Sequence, residues 1–273
     1  MPKMTPLLEV KNLVKTFKVG TGLRKTSFNA VNDISFAIPS GTSFGLVGES
    51  GSGKSTAARM VTRLIEPTSG QVIFDGQDIT GLKGDALMQY RRSVQMIFQD
   101  PFSALNPRMT VEEIITEPWL VHKLHSKADR KLKALALIDQ VGLPSNSLER
   151  KPVEFSGGQR QRILIARALT LEPKLLVADE PVSALDVLIQ AQILNLLKDL
   201  QKELGLTYLF ISHDLSVVEF ISDQIGVMYR GNLVELGDKT EIYRNPKNDY
   251  TRNLLAAIPS EETSLFSRSQ KNG

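Results

Sequence analysis

The stretch "GESGSGKST", from Gly48 to Thr56, constrains this chain more than any other part of its sequence. It matches the pattern G-x-x-x-x-G-K-[ST], in which glycine-rich backbone cradles phosphate groups and the lysine contacts them. Such a loop must lie between a strand and a helix, because the helix N-terminus then faces the anion. The apolar run from Phe44 to Val47 predicts the strand, and helical spacing follows the loop. We therefore predict an α/β fold with a phosphate-binding loop.

Composition narrows the chemistry and the cellular location. The 273 residues include no cysteine, which excludes disulfides, thiolate metal sites and thiol nucleophiles and suits a reducing compartment. The first residues lack the apolar core of a secretory signal, and no apolar run approaches the ~20 residues of a membrane-spanning helix. The 33 basic and 30 acidic residues indicate a mixed solvated surface. We expect a cytoplasmic protein that does not bind nucleic acid.

Strand and helix patterns divide the chain into three structural parts. Alternation from Leu7 to Ile38 predicts antiparallel strands, and buried strands at Leu175 to Ala178 and Tyr208 to Ile211 alternate with helices, which predicts a parallel sheet. Residues from about 101 to 168 lack strand patterns and contain a capping box, Thr110 with Glu113, which predicts a helical insertion. A hairpin is expected around Gly231. We predict one domain over 1–259 and a disordered polar tail over 260–273.

Apolar residues at helical spacing predict three helices. These residues are Ala57, Ala58, Val61, Leu64 and Ile65 after the loop, Leu132, Leu135, Ile138 and Val141 in the insertion, and Ile193, Leu197, Leu200 and Leu204 before Gly205.

The phosphate loop and a later acidic pair predict metal-dependent phosphate chemistry. Lys54 is expected to contact the β- and γ-phosphates of a nucleotide, and the Ser55 hydroxyl to bind Mg²⁺. "LLVADE" places Asp179 at the end of a buried strand, where its carboxylate can hold Mg²⁺ through water. Glu180 points to the opposite side and can act as general base toward an attacking water. Kinases and GTPases share these two elements, so they do not define the reaction.

Further motifs in fixed order identify the family that the chain resembles. "FSGGQ", from Phe155 to Gln159, is similar to the signature of the ATP-binding subunits of ABC transporters, which usually begins with leucine. "FQDP" contains Gln99, "SALD" ends at Asp186, and "SHD" contains His213, in that family's order. The resemblance covers nearly the whole chain. It implies a P-loop ABC ATPase fold with a parallel core sheet, an N-terminal antiparallel β-subdomain and a helical insertion.

The resemblance also implies roles for single residues. Gln99 would sense Mg²⁺ and the attacking water, and His213 would hold the γ-phosphate. Phe17 would stack on adenine, which needs only an aromatic ring; Phe28 is a rival for this role, and a core position is the alternative for either. The implied ATP-binding residues of the chain's own loop are Gly48, Glu49, Ser50, Gly51, Ser52, Gly53, Lys54, Ser55 and Thr56. Those that would cover nucleotide bound to a partner ATPase are Ser156, Gly157, Gly158, Gln159 and Asp186.

Longer stretches resemble one branch of the family. "FQDPFSALNPRMTV", "DVLIQAQILNLLKDLQ" and "NPKNDYTRNLLAAIP" are similar to the oligopeptide/dipeptide importer group, and "LGLTYLFISHDLSVVEFISD" favours its second ATPase subunit. This implies a heterodimer with a similar ATPase, two membrane permeases, an extracytoplasmic solute-binding protein acting indirectly, and a place on the cytoplasmic face of a bacterial membrane. The alternatives are an importer of nickel or another small solute, a soluble ABC ATPase acting on ribosomes or DNA, and a P-loop kinase.

Overall fold

Two sheets, ten α-helices and two short 3-10 helices (Ser145–Glu149 and Pro152–Glu154) make up the computed structural model, which describes residues 6–19 and 26–257. The strands are β1 (Pro6–Val19), β2 (Thr26–Pro39), β3 (Ser43–Val47), β4 (Ser69–Phe74), β5 (Gln77–Asp78), β6 (Val94–Ile97), β7 (Leu175–Asp179), β8 (Thr207–Ser212), β9 (Gln224–Tyr229) and β10 (Asn232–Asp238). The helices are α1 (Lys54–Val61), α2 (Gly84–Ser93), α3 (Pro101–Ala104), α4 (Val111–Val121), α5 (Lys127–Gln140), α6 (Gly157–Leu169), α7 (Val187–Leu204), α8 (Leu215–Ile221), α9 (Lys239–Arg244) and α10 (Asp249–Ala256). The tail predicted over 260–273 lies outside the described residues.

The smaller sheet is antiparallel throughout, in the order β2-β1-β4-β5, as the alternating pattern predicts. Ile34, Phe36 and Ile38 point inward and are buried, while Asp33, Ser35 and Ala37 between and before them are exposed. The long pairing of β1 with β2 places Phe17 directly opposite Phe28 near the end of the ribbon. Both rings therefore lie on one side of the same pair of strands.

The larger sheet has the order β10-β9-β3-β8-β7-β6, and all its pairs are parallel except β10 with β9. Every residue of β3, β7 and β8 is buried, which explains why these strands read as continuous apolar runs. The hairpin of β9 and β10 turns at Arg230 and Gly231, as predicted. Because neighbouring parallel strands end at one edge, the residues that follow β3, β7 and β8 meet there.

The segment between β6 and β7 is helical, as predicted, and its described residues contain no strand. The capping box before α4 is present: Thr110 Oγ1 accepts the Glu113 N–H at 3.3 Å, and Glu113 Oε2 accepts the Thr110 N–H at 2.8 Å. The indole N–H of Trp119 donates to the carbonyl oxygen of Thr170, which fastens α4 to the end of α6. The insertion is thus packed onto the helix that carries the "SGGQ" residues.

Three of the apolar positions whose spacing indicated helices are exposed. Leu64, Leu132 and Leu204 expose 49%, 67% and 45% of their surface. Helix α1 ends at Val61, and Arg63 adopts φ 56, so Leu64 leaves the helical path that its spacing predicted. Leu132 lies on the outer side of α5, and Leu204 is the last residue before the left-handed Gly205 at the end of α7. Helical spacing identifies a face but does not fix how far the buried surface extends along or around it.

The core consists of two clusters of buried apolar residues. One is formed by the helical insertion with α7, α8 and the residues of β7 and β8 that face them. The other is formed by the antiparallel sheet, α1 and inward-facing residues of β3 and β8. Phe36 and Phe44 stack within the second cluster, with ring centroids 4.7 Å apart, and join the two sheets. No helix in the described part of the chain has the length and apolar character needed to cross a bilayer.

Candidate functional site

The phosphate loop lies between β3 and α1, and its shape depends on glycine. Gly48 and Gly53 have φ values of 147° and 106°, which L side chains rarely adopt. A Cβ at Gly48 would lie 2.1 Å from the carbonyl oxygen of Met228, and one at Gly53 would lie 2.2 Å from that of Ala30. The backbone of the loop is therefore packed tightly against β9 and β2. Helix α1 begins at Lys54, so its first N–H groups face the loop.

Lys54 is buried although it is cationic. Its Nζ donates to the carbonyl oxygens of Gly48 at 2.6 Å and Glu49 at 2.8 Å, so the ammonium group lies over the loop. Burial lowers the pKa of Lys54, and the nearby charges of Glu180, Asp179 and Glu49 oppose that shift. A phosphate would give this desolvated cation an anionic partner.

The side-chain oxygens of Asp179 and Ser55 lie together beside the phosphate loop. Ser55 Oγ donates to Asp179 Oδ1 at 2.8 Å, and Asp179 is only 4% exposed at the end of β7. Burial raises the pKa of Asp179, while the Ser55 hydrogen bond and the charges of Arg59 and Lys54 oppose the shift.

These residues fit Mg²⁺. The ion commonly takes one or two protein oxygens, with phosphate and water as the other ligands. No cluster of three or more His, Cys, Asp or Glu side chains suited to a metal occurs among residues 6–19 and 26–257. A single buried carboxylate beside a hydroxyl agrees with the magnesium site predicted from the sequence.

The Glu180 side chain contacts side chains that follow the two strands on either side of β7. It follows β7 with φ 49, and its N–H donates to the carbonyl oxygen of Ile211 on β8 at 2.9 Å. Its Oε2 accepts the Gln99 Nε2 group at 3.1 Å and lies 3.0 Å from His213 Nδ1. Gln99 follows β6 and His213 follows β8, so side chains from three strands converge on one carboxylate oxygen.

A cavity of about 740 Å³ is lined by residues of the phosphate loop and by a set of apolar side chains. Its lining includes Phe17, Glu49, Ser50, Gly51, Gly53, Lys54, Ser55, Thr56, Gln99, Glu180 and His213 from the sequence prediction, with Phe28, Ala30 and Leu254. Gly48 and Ser52 do not line it but contact Lys54. Phe17 and Phe28 are 36% and 52% exposed, with ring centroids 5.9 Å apart, so a core position is wrong for both.

The "SGGQ" residues and Asp186 do not line this cavity in the described structure. Ser156 caps α6: its N–H donates to Gln159 Oε1 at 3.0 Å, and its Oγ accepts the Gln159 N–H at 3.4 Å. Asp186 caps α7 by accepting the N–H of Ile189 at 3.0 Å. A Cβ at Gly158 would lie 2.5 Å from Ile189 Cγ2, so the two helix N-termini are in close contact. The phosphate loop and the "SGGQ" stretch therefore do not share this cavity.

The sequence did not indicate two residues of the C-terminal helix. Leu254 lines the cavity, and the Tyr250 hydroxyl accepts the N–H of Glu49 in the phosphate loop at 3.1 Å. Both belong to the stretch "NPKNDYTRNLLAAIP", which indicated only a resemblance to one branch of the family. No local signal in that stretch points to a nucleotide.

The phosphate loop, the acidic pair and the signature helix on a parallel sheet define an ATPase cassette. The family model described as "ABC transporter" matches residues 31–183, which is more than half of the chain. The chain belongs to the ABC transporter family and is an ATPase of that family.

Similar proteins of known name and structure agree with this assignment. The oligopeptide transport ATP-binding protein OppF of Bacillus subtilis is 54% identical over 93% of this chain and 82% of its own length. OppF of Streptococcus mutans is 53% identical over 95% of this chain and 83% of its own length. The ATP-binding cassette MJ0796, solved as a dimer in a post-hydrolysis state with ADP and Pi, superposes with a TM-score of 0.76 at 32% identity, covering 85% of this chain and 98% of that one.

Proposed function

We propose that this chain binds ATP and Mg²⁺ in the cavity and hydrolyses ATP to energise a membrane importer of oligopeptides or dipeptides. The observation that carries the proposal is the meeting of Gln99, Glu180 and His213 on one wall of the cavity that also contains Lys54 and Ser55. A binding module would need only the phosphate loop. A carboxylate held by an amide and an imidazole beside that loop suits proton transfer from water.

Each part of the cavity has a chemical task in this proposal. Lys54 and the loop N–H groups bind the β- and γ-phosphates, Ser55 and Asp179 hold Mg²⁺, and bound Mg²⁺ offsets phosphate charge as a Lewis acid. Glu180 takes a proton from the attacking water, while Gln99 and His213 orient its carboxylate. Phe17, with Phe28 beside it, offers an aromatic face to adenine, a contact that contributes about 1–3 kcal/mol in other base-stacking sites.

The signature helix is proposed to complete the site of a second ATPase. Ser156, Gly157, Gly158 and Gln159 lie outside the chain's own cavity, and the first N–H groups of α6 suit an anion. The MJ0796 cassette, a dimer with ADP and Pi bound, supports the same arrangement for this chain. Asp186 caps the adjoining α7, and we propose that it belongs to the same interface. ATP would then bind more tightly to the paired chains than to the separate chains. This difference in affinity is what allows ATP to drive a cycle in which the two ATPases associate and separate.

Peptide import is proposed from the relatives' names, which describe oligopeptide transport ATP-binding proteins. The proposed partners are a second, similar ATPase, two membrane permeases and, indirectly, an extracytoplasmic solute-binding protein. The chain would work at the cytoplasmic face of a bacterial membrane as a peripheral subunit.

Uptake by cells tests the peptide proposal. Deletion of the gene should reduce uptake of labelled di- to oligopeptides, and wild-type protein should restore it. Protein with Glu180→Gln should not restore uptake, since the amide cannot accept a proton. Intact peptide uptake with impaired nickel uptake would contradict the substrate proposal and leave the ATPase proposal standing.

A further inference from the structure

The C-terminal helix α10 is held against the β9–β10 hairpin by several independent contacts. The Glu235 carboxylate of β10 accepts the N–H groups of Lys247 at 2.7 Å and Asn248 at 3.1 Å. Asn248 Oδ1 then caps the helix by accepting the Tyr250 N–H at 2.9 Å. The Tyr250 ring packs on Tyr229 of β9 with centroids 4.3 Å apart. These contacts fix both the start and the direction of α10.

One face of α10 points at the nucleotide cavity. Tyr250 and Leu254 are four residues apart and so lie on the same side of the helix. The Tyr250 hydroxyl accepts the Glu49 N–H at 3.1 Å, at the beginning of the phosphate loop. Leu254, one turn further, lines the cavity together with Phe17, Phe28 and Ala30. The polar contact thus falls on the phosphate loop, and Leu254 adds apolar surface to the same cavity.

We propose that α10 is a wall of the nucleotide site, in which Leu254 contacts the nucleoside and Tyr250 positions the phosphate loop. The inference rests on the proposed function, because it takes ATP as the ligand. Leu254 is a binding residue in this scheme. Tyr250 acts through Glu49 and is a positioning residue.

The two side chains act on different parts of the ligand. Leu254 presents apolar surface to the cavity that Phe17 and Phe28 also line, so it suits the base and ribose and offers the phosphates no polar partner. Tyr250 satisfies a backbone N–H of a tightly turned loop whose other groups bind phosphate, so its effect reaches every ligand that uses the loop. A ligand with phosphates and no nucleoside separates the two effects.

The test compares Mg²⁺ complexes of ATP and of inorganic tripolyphosphate, titrated calorimetrically against the full-length protein. Each methylene-sized area of nucleoside that the Leu254 side chain covers should change the affinity for ATP about fourfold. Leu254→Ala should therefore weaken ATP binding by that factor for each such area. Its affinity for tripolyphosphate should equal that of the wild type. Tyr250→Phe keeps the ring on Tyr229 and should weaken both ligands equally, by roughly two- to tenfold.

Matched variants control for helix stability. Leu255→Ala truncates the neighbouring side chain, which is partly buried against the core and does not line the cavity. Tyr229→Phe removes a hydroxyl from the ring on which Tyr250 packs and leaves the Glu49 contact in place. Neither variant should change either affinity, and thermal melts should show all four variants folded.

The contradicting results are distinct. Three results would overturn the nucleoside contact. Leu254→Ala could weaken the affinity for both ligands equally, or it could leave the affinity for ATP unchanged. Alternatively, Leu255→Ala could weaken the affinity for ATP as much as Leu254→Ala does. Unchanged affinities in Tyr250→Phe would overturn the positioning role. Wild-type protein that binds tripolyphosphate and ATP equally would also exclude a nucleoside wall, whereas wild-type protein that binds neither would refute the proposed function itself.

Discussion

Replacing Ser156 by arginine tests whether the "SGGQ" helix serves the partner's site. Ser156→Arg places a bulky cation at the N-terminus of α6, where the proposal puts the γ-phosphate bound to another chain. The variant's own cavity should be unaffected, since no signature residue lines it among the described residues. ATP affinity of the isolated variant should therefore equal that of the wild type.

The structure also sets the expected stability cost. The substitution removes the Oγ acceptor of a long, 3.4 Å hydrogen bond, which is worth about 0.5–1 kcal/mol for a weak cap. The 3.0 Å bond from the backbone N–H of residue 156 to Gln159 can remain. A cation at the positive end of a helix adds about 0.3–1 kcal/mol. The total, about 1–2 kcal/mol, is small beside the ~5–15 kcal/mol stability of an ordinary domain.

The assay is ATP hydrolysis by the variant mixed with its partner ATPase. Loss of the contacts at a developing phosphate charge should lower the rate at least ~100-fold. Ser126→Arg is the matched control, because Ser126 forms the same type of capping box with Asp129 at the start of α5. It should cost similar stability and leave hydrolysis unchanged. Lost ATP binding by folded, isolated Ser156→Arg protein would show that the signature acts in its own chain's site and would refute this reasoning.

Three other variants test the rest of the site. Lys54→Ala should weaken ATP binding roughly 10- to 100-fold, because charge-assisted hydrogen bonds contribute about 1.5–3 kcal/mol each; unchanged affinity in an equilibrium titration would contradict this. Glu180→Gln should retain ATP binding and lower turnover at least ~100-fold, and normal turnover in a steady-state assay would remove Glu180 as the base. Gly158→Ala should destabilise the fold by about 1–3 kcal/mol through overlap with Ile189, and most of that loss should disappear in an Ile189→Ala background; additive effects in urea unfolding would show that the contact is not the cause.

The convergence of the proposed catalytic residues was predictable, because each of them follows a parallel strand. The carboxyl ends of adjacent parallel strands lie together, so motifs placed after β3, β7 and β8 must converge whatever their distance in sequence. The 2.8 Å contact of Ser55 with Asp179, 124 positions apart, is the result. Pattern and spacing carry this information because each motif also marks the end of its own strand.

The remaining features depend on tertiary contacts that no local pattern contains. Nothing near Tyr250 signals its contact with Glu49, 201 positions earlier, since that contact requires α10 to dock on the β9–β10 hairpin. The sequence suggested Gly158 only as a ligand-binding residue, whereas the close approach of Ile189 also gives it a packing role. The choice between Phe17 and Phe28 stayed open for a similar reason: cross-strand pairing brings both rings to the cavity.

The contact of His213 with Glu180 determines the tautomer of the imidazole. An ionised carboxylate only accepts hydrogen bonds, so Nδ1, which lies 3.0 Å from Glu180 Oε2, must carry a proton. In the neutral ring Nε2 is then an acceptor and cannot donate to a phosphate oxygen. A neutral His213 ring that keeps its contact with Glu180 therefore cannot also donate to the γ-phosphate. ¹⁵N chemical shifts of His213 would show which of its two nitrogens carries the proton.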